Sequence, residues 1–181
     1  YVNEKIIYLD NAASTPIRPE AIDAMTAVLS DCYGNPSGAH KMAREARRLI
    51  DDARDTLSHG LGCDPKEVIF TAGGTEADNL AIFGIQGSRD GTILASATDH
   101  HAVIAPVEQL GGQFIQVDES GLLDLDHLAH LLDENVALVS VGLVNGETGI
   151  IQNLETMAEI VRSKAPKALI HTDAVQAFPW L

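Results

Sequence analysis

Apolar residues are grouped along the chain in two ways, and the grouping predicts which segments are strands and which are helices. Short continuous apolar runs are typical of strands that are covered on both faces. Such runs occur at residues 68–70, 92–96, 114–117, 137–144 and 168–172. Between them, apolar residues recur with the spacing of one helix face, which predicts helices at residues 75–83, 103–110, 125–132 and 154–163.

The N-terminal part of the chain has a different pattern. Residues 6–9 are a short β-prone run that is stopped by polar turn residues. Helical patterns follow at residues 20–29 and 39–57, and the second is rich in Ala, Arg and Asp with its charged residues on one face. Residues 31–37 between them are dense in turn formers and predict a loop.

Strands that alternate with helices predict an α/β fold with a mainly parallel sheet sandwiched by helices. No internal repeat or low-complexity linker interrupts the pattern, and 181 residues fit one domain of ordinary size. In such a fold, ligands bind beyond the carboxyl ends of the strands. The candidate chemistry should therefore lie in the loops that follow each strand.

Composition and charge narrow the function classes. Hydrophobic residues make up 45% of the chain and charged residues 21%, which is typical of a globular protein. The formal net charge of −14 repels phosphate backbones and anionic lipid, so we expect neither nucleic acid nor a membrane surface as a partner. No apolar run is long enough to span a bilayer. An anionic ligand would need a locally arranged site such as a helix N-terminus.

The two cysteines, Cys32 and Cys63, lie far apart in the sequence and not in C-x-x-C spacing. This spacing predicts neither a disulfide framework nor a zinc cluster, and we expect no metal site. Both cysteines are interpreted as ordinary structural residues of a protein in a reducing compartment, which indicates the cytoplasm.

The segment after the run at 68–70 contains Gly73, Gly74 and Thr75 and opens a predicted helix. Paired glycines let the backbone approach an anion closely, and the first N–H groups of a helix have no intrahelical partner. The Thr75 hydroxyl could add a hydrogen bond to a phosphate. The alternative is a plain capping sequence, because Thr is a good N-cap.

Two further loops carry polar residues after a strand. His100 follows the run at 92–96, and it could be a stacking platform, an acid/base group or a helix-entry residue. Asn145 and Gly146 follow the run at 137–144, and Asn-Gly is by itself a strong turn signal. Each loop therefore keeps a structural alternative beside the functional one.

Asp173 follows the last run, and Gln176 comes three residues later. A carboxylate at the end of a buried strand must be solvated, paired or hydrogen-bonded. Asp173 could cap the next helix or hold a cationic ring nitrogen, and Gln176 could lie on the same side. Together the loops offer an anion cradle, a ring, an amide and a carboxylate, which matches a phosphorylated, aromatic, protonatable cofactor. Neither a G-x-G-x-x-G turn nor a G-x-x-x-x-G-K-[ST] loop is present.

Six short segments resemble the class V aminotransferase-like enzymes that use pyridoxal 5′-phosphate, and specifically the cysteine desulfurases. They follow the family order from end to end of the chain, at residues 8–16, 34–40, 73–79, 99–103, 144–149 and 171–176. The Gly-Asn-Pro-Ser and Asn-Gly-Glu-Thr-Gly segments look closer to the iron–sulfur-cluster branch of the desulfurases. The resemblance implies that residues 1–181 are the N-terminal part of the large, cofactor-binding domain of a fold-type I enzyme.

The resemblance implies a role for each candidate residue. Gly74 and Thr75 would hold the cofactor phosphate, and His100 would stack on the pyridine ring and help to move protons. Asn145 and Gln176 would contact the ring oxygen, with Asn145 also near the substrate carboxylate.

Asp173 would pair with the pyridine nitrogen, again by resemblance. A carboxylate against that nitrogen keeps it protonated, so that the ring can accept electrons when charge develops on the substrate α-carbon. This is the implied role with the clearest physical purpose.

The sequence departs from the family pattern in two places. Gly146 stands where the family usually has a second asparagine, a small loss that would only loosen the turn. The family's Schiff-base lysine is missing, and none of the five lysines matches its motif. The mobile cysteine loop, the substrate-carboxylate arginine and the small C-terminal domain are missing as well. We therefore expect the chain to be a fragment of a longer enzyme and to be inactive as a desulfurase by itself.

For the whole enzyme, the resemblance implies conversion of L-cysteine to L-alanine, with a persulfide left for a sulfur-acceptor scaffold protein. It also implies a homodimer. Neither Cys32 nor Cys63 matches the motif of the persulfide cysteine. The alternatives are a selenocysteine lyase or another class V aminotransferase-like enzyme, and a non-catalytic relative that serves as a binding module.

Overall fold

The computed structural model describes residues 6–178 and 180–181, and the chain forms two compact units, Tyr1–Phe70 and Thr71–Leu181. The first unit contains helices α1 (Pro19–Asp31) and α2 (Lys41–Leu61) and a short 3₁₀ turn at Pro65–Glu67. The second unit contains the sheet and the remaining helices.

Helix α2 confirms the amphipathic pattern of the first unit. His40 caps its N-terminus by accepting the Ala43 N–H at Nδ1, and Gly62 ends it with a left-handed backbone at φ 68°. The helix buries small residues such as Ala46, while its exposed side chains form ion pairs such as Arg47–Asp51 at 3.1 Å.

The strand predicted at 68–70 is wrong, and the β-prone run at 6–9 also forms no strand: neither segment is a strand in the described residues. A strand exists only where its backbone groups pair with a neighbouring strand. The Val68 carbonyl instead accepts the Arg54 Nε–H at 3.3 Å, and Ile69 and Phe70 are 69% and 48% exposed. The apolar run indicates a tendency to be buried, but residues 6–70 contain no strand with which it could pair.

The second unit is built on one parallel sheet. In its described residues, the sheet has four strands in the order β2-β1-β3-β4, all parallel. The strands are β1 (Thr92–Ser96), β2 (Gln113–Ile115), β3 (Val136–Ser140) and β4 (Leu169–His171). The helices are α3 (Gly74–Ser88), α4 (His101–Gln109), α5 (Leu125–Leu131) and α6 (Leu154–Lys164). The predicted α/β class and the predicted helices of this unit are confirmed.

Side chains alternate between the two faces of the sheet, so each face has its own core. Ile93 and Leu138 pack in a cluster with residues of α3 and α4, whereas Leu94 and Val139 pack in a second cluster with residues of α5 and α6. Every residue of β3 is buried. Helices therefore cover both faces, as the continuous apolar runs predicted.

Two strands are shorter than their apolar runs, and just past the end of each one a side chain accepts a backbone N–H group. β3 ends at Ser140, and the Gly142 N–H donates to Asp99 Oδ1 at 2.8 Å. β2 ends at Ile115, and the Gln116 N–H donates to His127 Nδ1 at 3.1 Å. None of the helices in the described residues has the length and apolar composition that crossing a membrane requires.

The topology fixes where a ligand would enter. The chain passes from β1 outward to β2 and then returns past β1 to β3, so the strand order reverses between β1 and β3. In parallel sheets, the crevice at such a reversal opens beyond the carboxyl ends of the two strands.

Candidate functional site

A cavity of about 660 Å³ lies at the carboxyl edge of the sheet, beside the reversal of strand order. Its walls are the N-terminus of α3 and the loops that follow β1, β3 and β4. The structure brings all six candidate residues to this cavity: Gly74, Thr75, His100, Asn145, Asp173 and Gln176. What each of them does toward a cofactor stays a prediction.

The N-terminus of α3 presents backbone donors rather than a capping side chain. Gly73 is the N-cap with extended backbone, and Thr75 is the second residue of the helix, so the alternative that Thr75 caps the helix is wrong. The first N–H groups of the helix have no intrahelical partner. A Cβ on Gly74 would lie 2.7 Å from Val175 Cγ2, so glycine is what allows the helix to approach the loop after β4.

His100 enters the cavity as the N-cap of α4. Its Nδ1 accepts the Ala102 N–H at 3.1 Å, which confirms the helix-entry alternative. In a neutral imidazole, a nitrogen that accepts leaves the ring proton on the other nitrogen, here Nε2. The same ring lines the cavity, so the structural position and a role toward a ligand are compatible.

Asn145 holds the loop after β3 in place. Its Oδ1 accepts the N–H groups of Glu147 and Thr148 and the Thr148 hydroxyl, and its Nδ2 donates to the Thr98 carbonyl at 2.9 Å. The turn interpretation of Asn145 is therefore confirmed. Its carboxamide oxygen is used within the turn, whereas Nδ2 carries a second hydrogen that can face a ligand.

Gly146 allows Gln176 to lie against this turn. A Cβ at position 146 would come within 3.3 Å of Gln176 Cγ. An asparagine in its place would require that side chain to move. Glycine, where the family usually has asparagine, therefore stands at the point where the loop after β3 and the turn after β4 approach each other closely.

Asp173 lies half-buried directly after β4. Its Oδ1 accepts the Val175 N–H at 2.9 Å, and its main-chain carbonyl accepts the Leu143 N–H at 2.9 Å. Asp173 therefore caps a turn at residues 175–178 and not a regular helix, so the helix-cap alternative is confirmed only in part. Gln176 lies on the same cavity as Asp173.

Sequence reasoning missed two aspartates in the cavity wall, Asp78 in α3 and Asp99 in the loop after β1. Asp78 is only 4% exposed, and the Oδ2 atoms of both residues are buried without a hydrogen-bond partner among the described residues. Both aspartates lie inside segments that carry the family resemblance, and this position was the only sign in the sequence that they could belong to the site. Their burial, however, arises from tertiary packing.

Burial changes the acidity of both carboxyl groups. The pKa of Asp78 is raised to about 6: desolvation is the largest cause, the charge of Asp173 contributes, and His100 opposes the rise. The pKa of Asp99 is raised to about 7, and desolvation is again the largest cause. The hydrogen bond from the Gly142 N–H lowers this pKa, whereas the charges of Asp173 and Asp78 raise it. Near neutral pH, this wall of the cavity therefore carries less negative charge than its three carboxyl groups would suggest.

His171 lies behind this wall, at the end of β4. Its Nδ1 and the Ser140 hydroxyl are hydrogen-bonded at 2.9 Å, and its Nε2 is 3.6 Å from Asp78 Oδ1. Desolvation lowers the pKa of His171, while the charge of Asp173 acts in the opposite direction. At neutral pH the imidazole is therefore uncharged, and its contact with Asp78 is not an ion pair.

No lysine or arginine lines the cavity in the described part of the chain. The same residues contain no cluster of three or more His, Cys, Asp or Glu that could hold a metal ion. The cavity thus combines a helix N-terminus, which favours an anion, with carboxyl groups that favour a cation. It suits a small ligand with one negative and one positive group.

The sequence matches the family described as aminotransferase class-V over residues 7–180. The chain belongs to this family. Among related proteins, the putative cysteine desulfurase IscS 1 of Bacillus subtilis is 38% identical over 180 residues, which are 95% of this chain and 47% of that protein. The cysteine desulfurase IscS of Dictyoglomus turgidum is 38% identical over 178 residues, 94% of this chain and 45% of that protein.

Several solved structures share the fold of this chain. A NifS-like protein superposes with a TM-score of 0.92 at 33% identity, covering 94% of this chain and 49% of that one. A structure described as SspA in complex with cysteine superposes with a TM-score of 0.86 at 31% identity, covering 94% and 51%. The fold is that of the fold-type I enzymes. This chain spans about half the length of the curated relatives that it matches.

Pyridoxal 5′-phosphate is the cofactor of class-V aminotransferases and cysteine desulfurases, and the residues of the cavity fit it. Gly74 and Thr75, at the N-terminus of α3, line the cavity, and the first N–H groups of a helix can bind a phosphate. Asp78, Asp99 and Asp173 line this cavity, and the Oδ2 atoms of Asp78 and Asp99 are buried without a hydrogen-bond partner among the described residues, so a protonated ring nitrogen would be electrostatically favoured here.

Proposed function

We propose that this class-V aminotransferase is part of a cysteine desulfurase, an enzyme that converts L-cysteine to L-alanine and retains the sulfur as a persulfide. The relatives at 34–38% identity that are named cysteine desulfurases support this assignment. The proposal includes the domain assignment: residues 1–181 are the N-terminal part of the cofactor-binding large domain.

One observation carries the proposal: the N-terminus of α3 and Asp173 line the same cavity. We assign the phosphate to the backbone donors of Gly74 and Thr75 and to the Thr75 hydroxyl, where the helix dipole also favours an anion. We assign the ring nitrogen to Asp173, whose carboxylate holds a proton there. When bound, the protonated pyridine ring accepts electron density from the substrate α-carbon.

The remaining candidate residues orient the ring and the substrate. His100 would stack on one face of the ring, and its Nε2–H would be the proton that this imidazole can exchange. Gln176 and the second Nδ2 hydrogen of Asn145 bind the ring oxygen, and Asn145 also lies near the substrate carboxylate. The bond from Asn145 to the Thr98 carbonyl keeps that amide from rotating.

The partners of the whole protein are part of the same proposal. A scaffold protein accepts the persulfide sulfur, and two copies of the enzyme form a homodimer. Cys32 and Cys63 are free thiols in the structure, and unpaired cysteines suit a reducing compartment, which supports placing the protein in the cytoplasm.

The variant Asp173→Asn tests the assignment of the ring nitrogen. We expect its dissociation constant for 4-deoxypyridoxine 5′-phosphate, the cofactor without its aldehyde, to rise about 10- to 100-fold, because a charge-assisted hydrogen bond is lost. Fluorescence titration gives the constant, and ultraviolet absorbance reports protonation of the bound ring. Asp90→Asn is the matched control, since Asp90 is exposed and does not line the cavity.

Unchanged affinity in Asp173→Asn, with a protonated ring, would contradict this assignment. The reaction itself is tested with the complete gene product, which should release sulfide and alanine from L-cysteine in equal amounts when a thiol reductant is present. Sulfide without alanine, or neither product, would exclude the desulfurase.

A further inference from the structure

Three carboxyl groups from separate elements meet in the cavity wall. Asp78 comes from α3, Asp99 from the loop after β1, and Asp173 from the loop after β4. The charge of Asp173 raises the pKa of both Asp78 and Asp99, and the charge of Asp78 also raises the pKa of Asp99. Their gathering is not explained by a metal ion, because the described residues hold no group that could ligate one.

Two carboxylate oxygens of these aspartates have no hydrogen-bond donor among the described residues. Asp78 Oδ2 and Asp99 Oδ2 are buried and accept no hydrogen bond from the described residues. Asp78 is more than nine-tenths buried and lines the cavity. A buried carboxylate without a partner is costly, and the cost disappears either when the group binds a proton or when a cation comes beside it.

The other titratable groups around these two aspartates do not supply that cation at neutral pH. His171, from β4, is the group closest to Asp78, and burial keeps it uncharged. His100 acts on Asp78 from the start of α4 and lowers its pKa, but it does not bring that pKa back to the ordinary value. The rim of the cavity adds His101 and one more acid, Glu147.

We propose that Asp78 and Asp99 together hold a proton in the ligand-free cavity and release it when the protonated ring of the cofactor binds. The O–H bond of one carboxylic acid breaks, the proton passes to water, and the new carboxylate faces the positive ring. Asp78 and Asp99 thus serve as positioning residues: the cavity gains a negative charge when the positively charged ring binds. This inference rests on the proposed function, because it needs a cofactor with a cationic ring.

The pKa values of Asp78 and Asp99 set the pH range over which binding releases a proton. With pKa values of about 7 for Asp99 and about 6 for Asp78, roughly half of the Asp99 side chains and a smaller share of the Asp78 side chains carry a proton at pH 7. A neighbouring positive charge lowers both pKa values, so protons leave on binding. As pH rises above about 8, both groups are already ionised and the release disappears.

Isothermal titration calorimetry with 4-deoxypyridoxine 5′-phosphate measures this proton directly. Heats in buffers of different ionisation enthalpy give the number of protons released per ligand bound. At pH 7 we expect the chain to release about half a proton to one proton, and at pH 8.5 close to none. Benzyl phosphate, which has the phosphate but no basic nitrogen, should release markedly less at pH 7.

Variants locate the source of the proton. Asp99→Asn should reduce the release at pH 7 by at least half, the double variant Asp78→Asn/Asp99→Asn should abolish most of it, and Asp90→Asn should leave it unchanged. Circular dichroism checks that each variant is folded. The native chain at two pH values remains a test that needs no substitution.

The outcomes separate this inference from the proposed function. Binding of the deoxypyridoxine phosphate with no proton release at pH 7, or with the same release in the double variant, overturns the proton exchange and leaves the cofactor site standing. Failure of the ligand to bind the native chain overturns both the cofactor site and the exchange.

Discussion

At the N-terminus of α4, the imidazole of His100 accepts the Ala102 N–H through Nδ1 and lines the cavity with the rest of its ring. The two features need different chemistry. Capping needs only an acceptor at the correct position, which asparagine also provides. Contact with a flat ligand needs the ring itself. A pair of substitutions at this one residue can therefore separate the structural contribution from the functional one.

We expect His100→Asn to keep nearly the native free energy of unfolding and to bind the deoxypyridoxine phosphate more weakly, by about tenfold, because stacking contacts are worth about 1 kcal/mol. His100→Ala should bind as weakly and also lose about 1 kcal/mol of stability with the helix cap. Urea denaturation and fluorescence titration measure the two quantities. Native-like binding in His100→Asn would show that the ring makes no contact.

At the residue scale, the sequence indicated the positions of the strand-end side chains but not their surroundings. Asp173 and His100 follow apolar runs, so their place at the sheet edge could be inferred from chain order alone. Asp78 lies on a helix among residues of ordinary composition, and nothing local distinguishes a buried aspartate from an exposed one. Its raised pKa comes mainly from burial in the fold, where α3 places it 3.6 Å from His171 at the end of β4.

At the element scale, the helices and the four parallel strands of the second unit were predictable, because apolar runs alternate there with amphipathic helical patterns. The run at 68–70 failed because periodicity reports a tendency to be buried, whereas a strand also needs a partner. The early end of β3 was equally hidden: the carboxylate that accepts the Gly142 N–H just past it belongs to Asp99, 43 residues away in the sequence.

Two glycines, one inside α3 and one just before β1, should respond differently to a methyl group. A Cβ added at Gly84 in α3 would meet no described atom within 4 Å, so Gly84→Ala should raise stability by about 0.5–1 kcal/mol through helix propensity. Gly91 has φ +142°, and its Cβ would lie 2.3 Å from the Asn135 carbonyl oxygen, so Gly91→Ala should lower stability by about 2 kcal/mol or more.

Urea denaturation of the two glycine variants provides the comparison, with each variant serving as the control for the other. Equal effects at the two positions would show that backbone geometry before β1 does not restrict the choice of residue there.

At the scale of the whole molecule, the acids of the cavity make stability depend on pH. The pKa of Asp99 is higher in the folded chain than the ordinary value, so the folded state keeps a proton that the unfolded state loses above about pH 4. Its contribution to stability therefore falls as pH rises from about 4 to about 7 and is constant above that range. The lowered pKa of His171 acts in the other direction, reducing stability below about pH 6.5.

Asp99→Asn removes the carboxyl group and keeps an acceptor for the Gly142 N–H. We expect its stability advantage over the native chain to grow by about 1–3 kcal/mol between pH 5 and pH 8, because only the native chain must ionise a buried acid. Urea denaturation at both pH values gives this difference, and the contribution of His171 cancels. An advantage that stays constant with pH, as expected for Asp90→Asn, would contradict the raised pKa.

The hydrogen bond from Asn145 to the Thr98 carbonyl has a consequence for how the protein assembles. It joins segments on either side of the strand reversal, and the cavity is complete only when the turn after β4 has also docked beside Gly74. Contacts between such distant segments are slow to form and are among the last that a parallel sheet makes. A bound cofactor therefore meets a finished cavity, and it prolongs the life of the native state by slowing unfolding while leaving the rate of refolding unchanged.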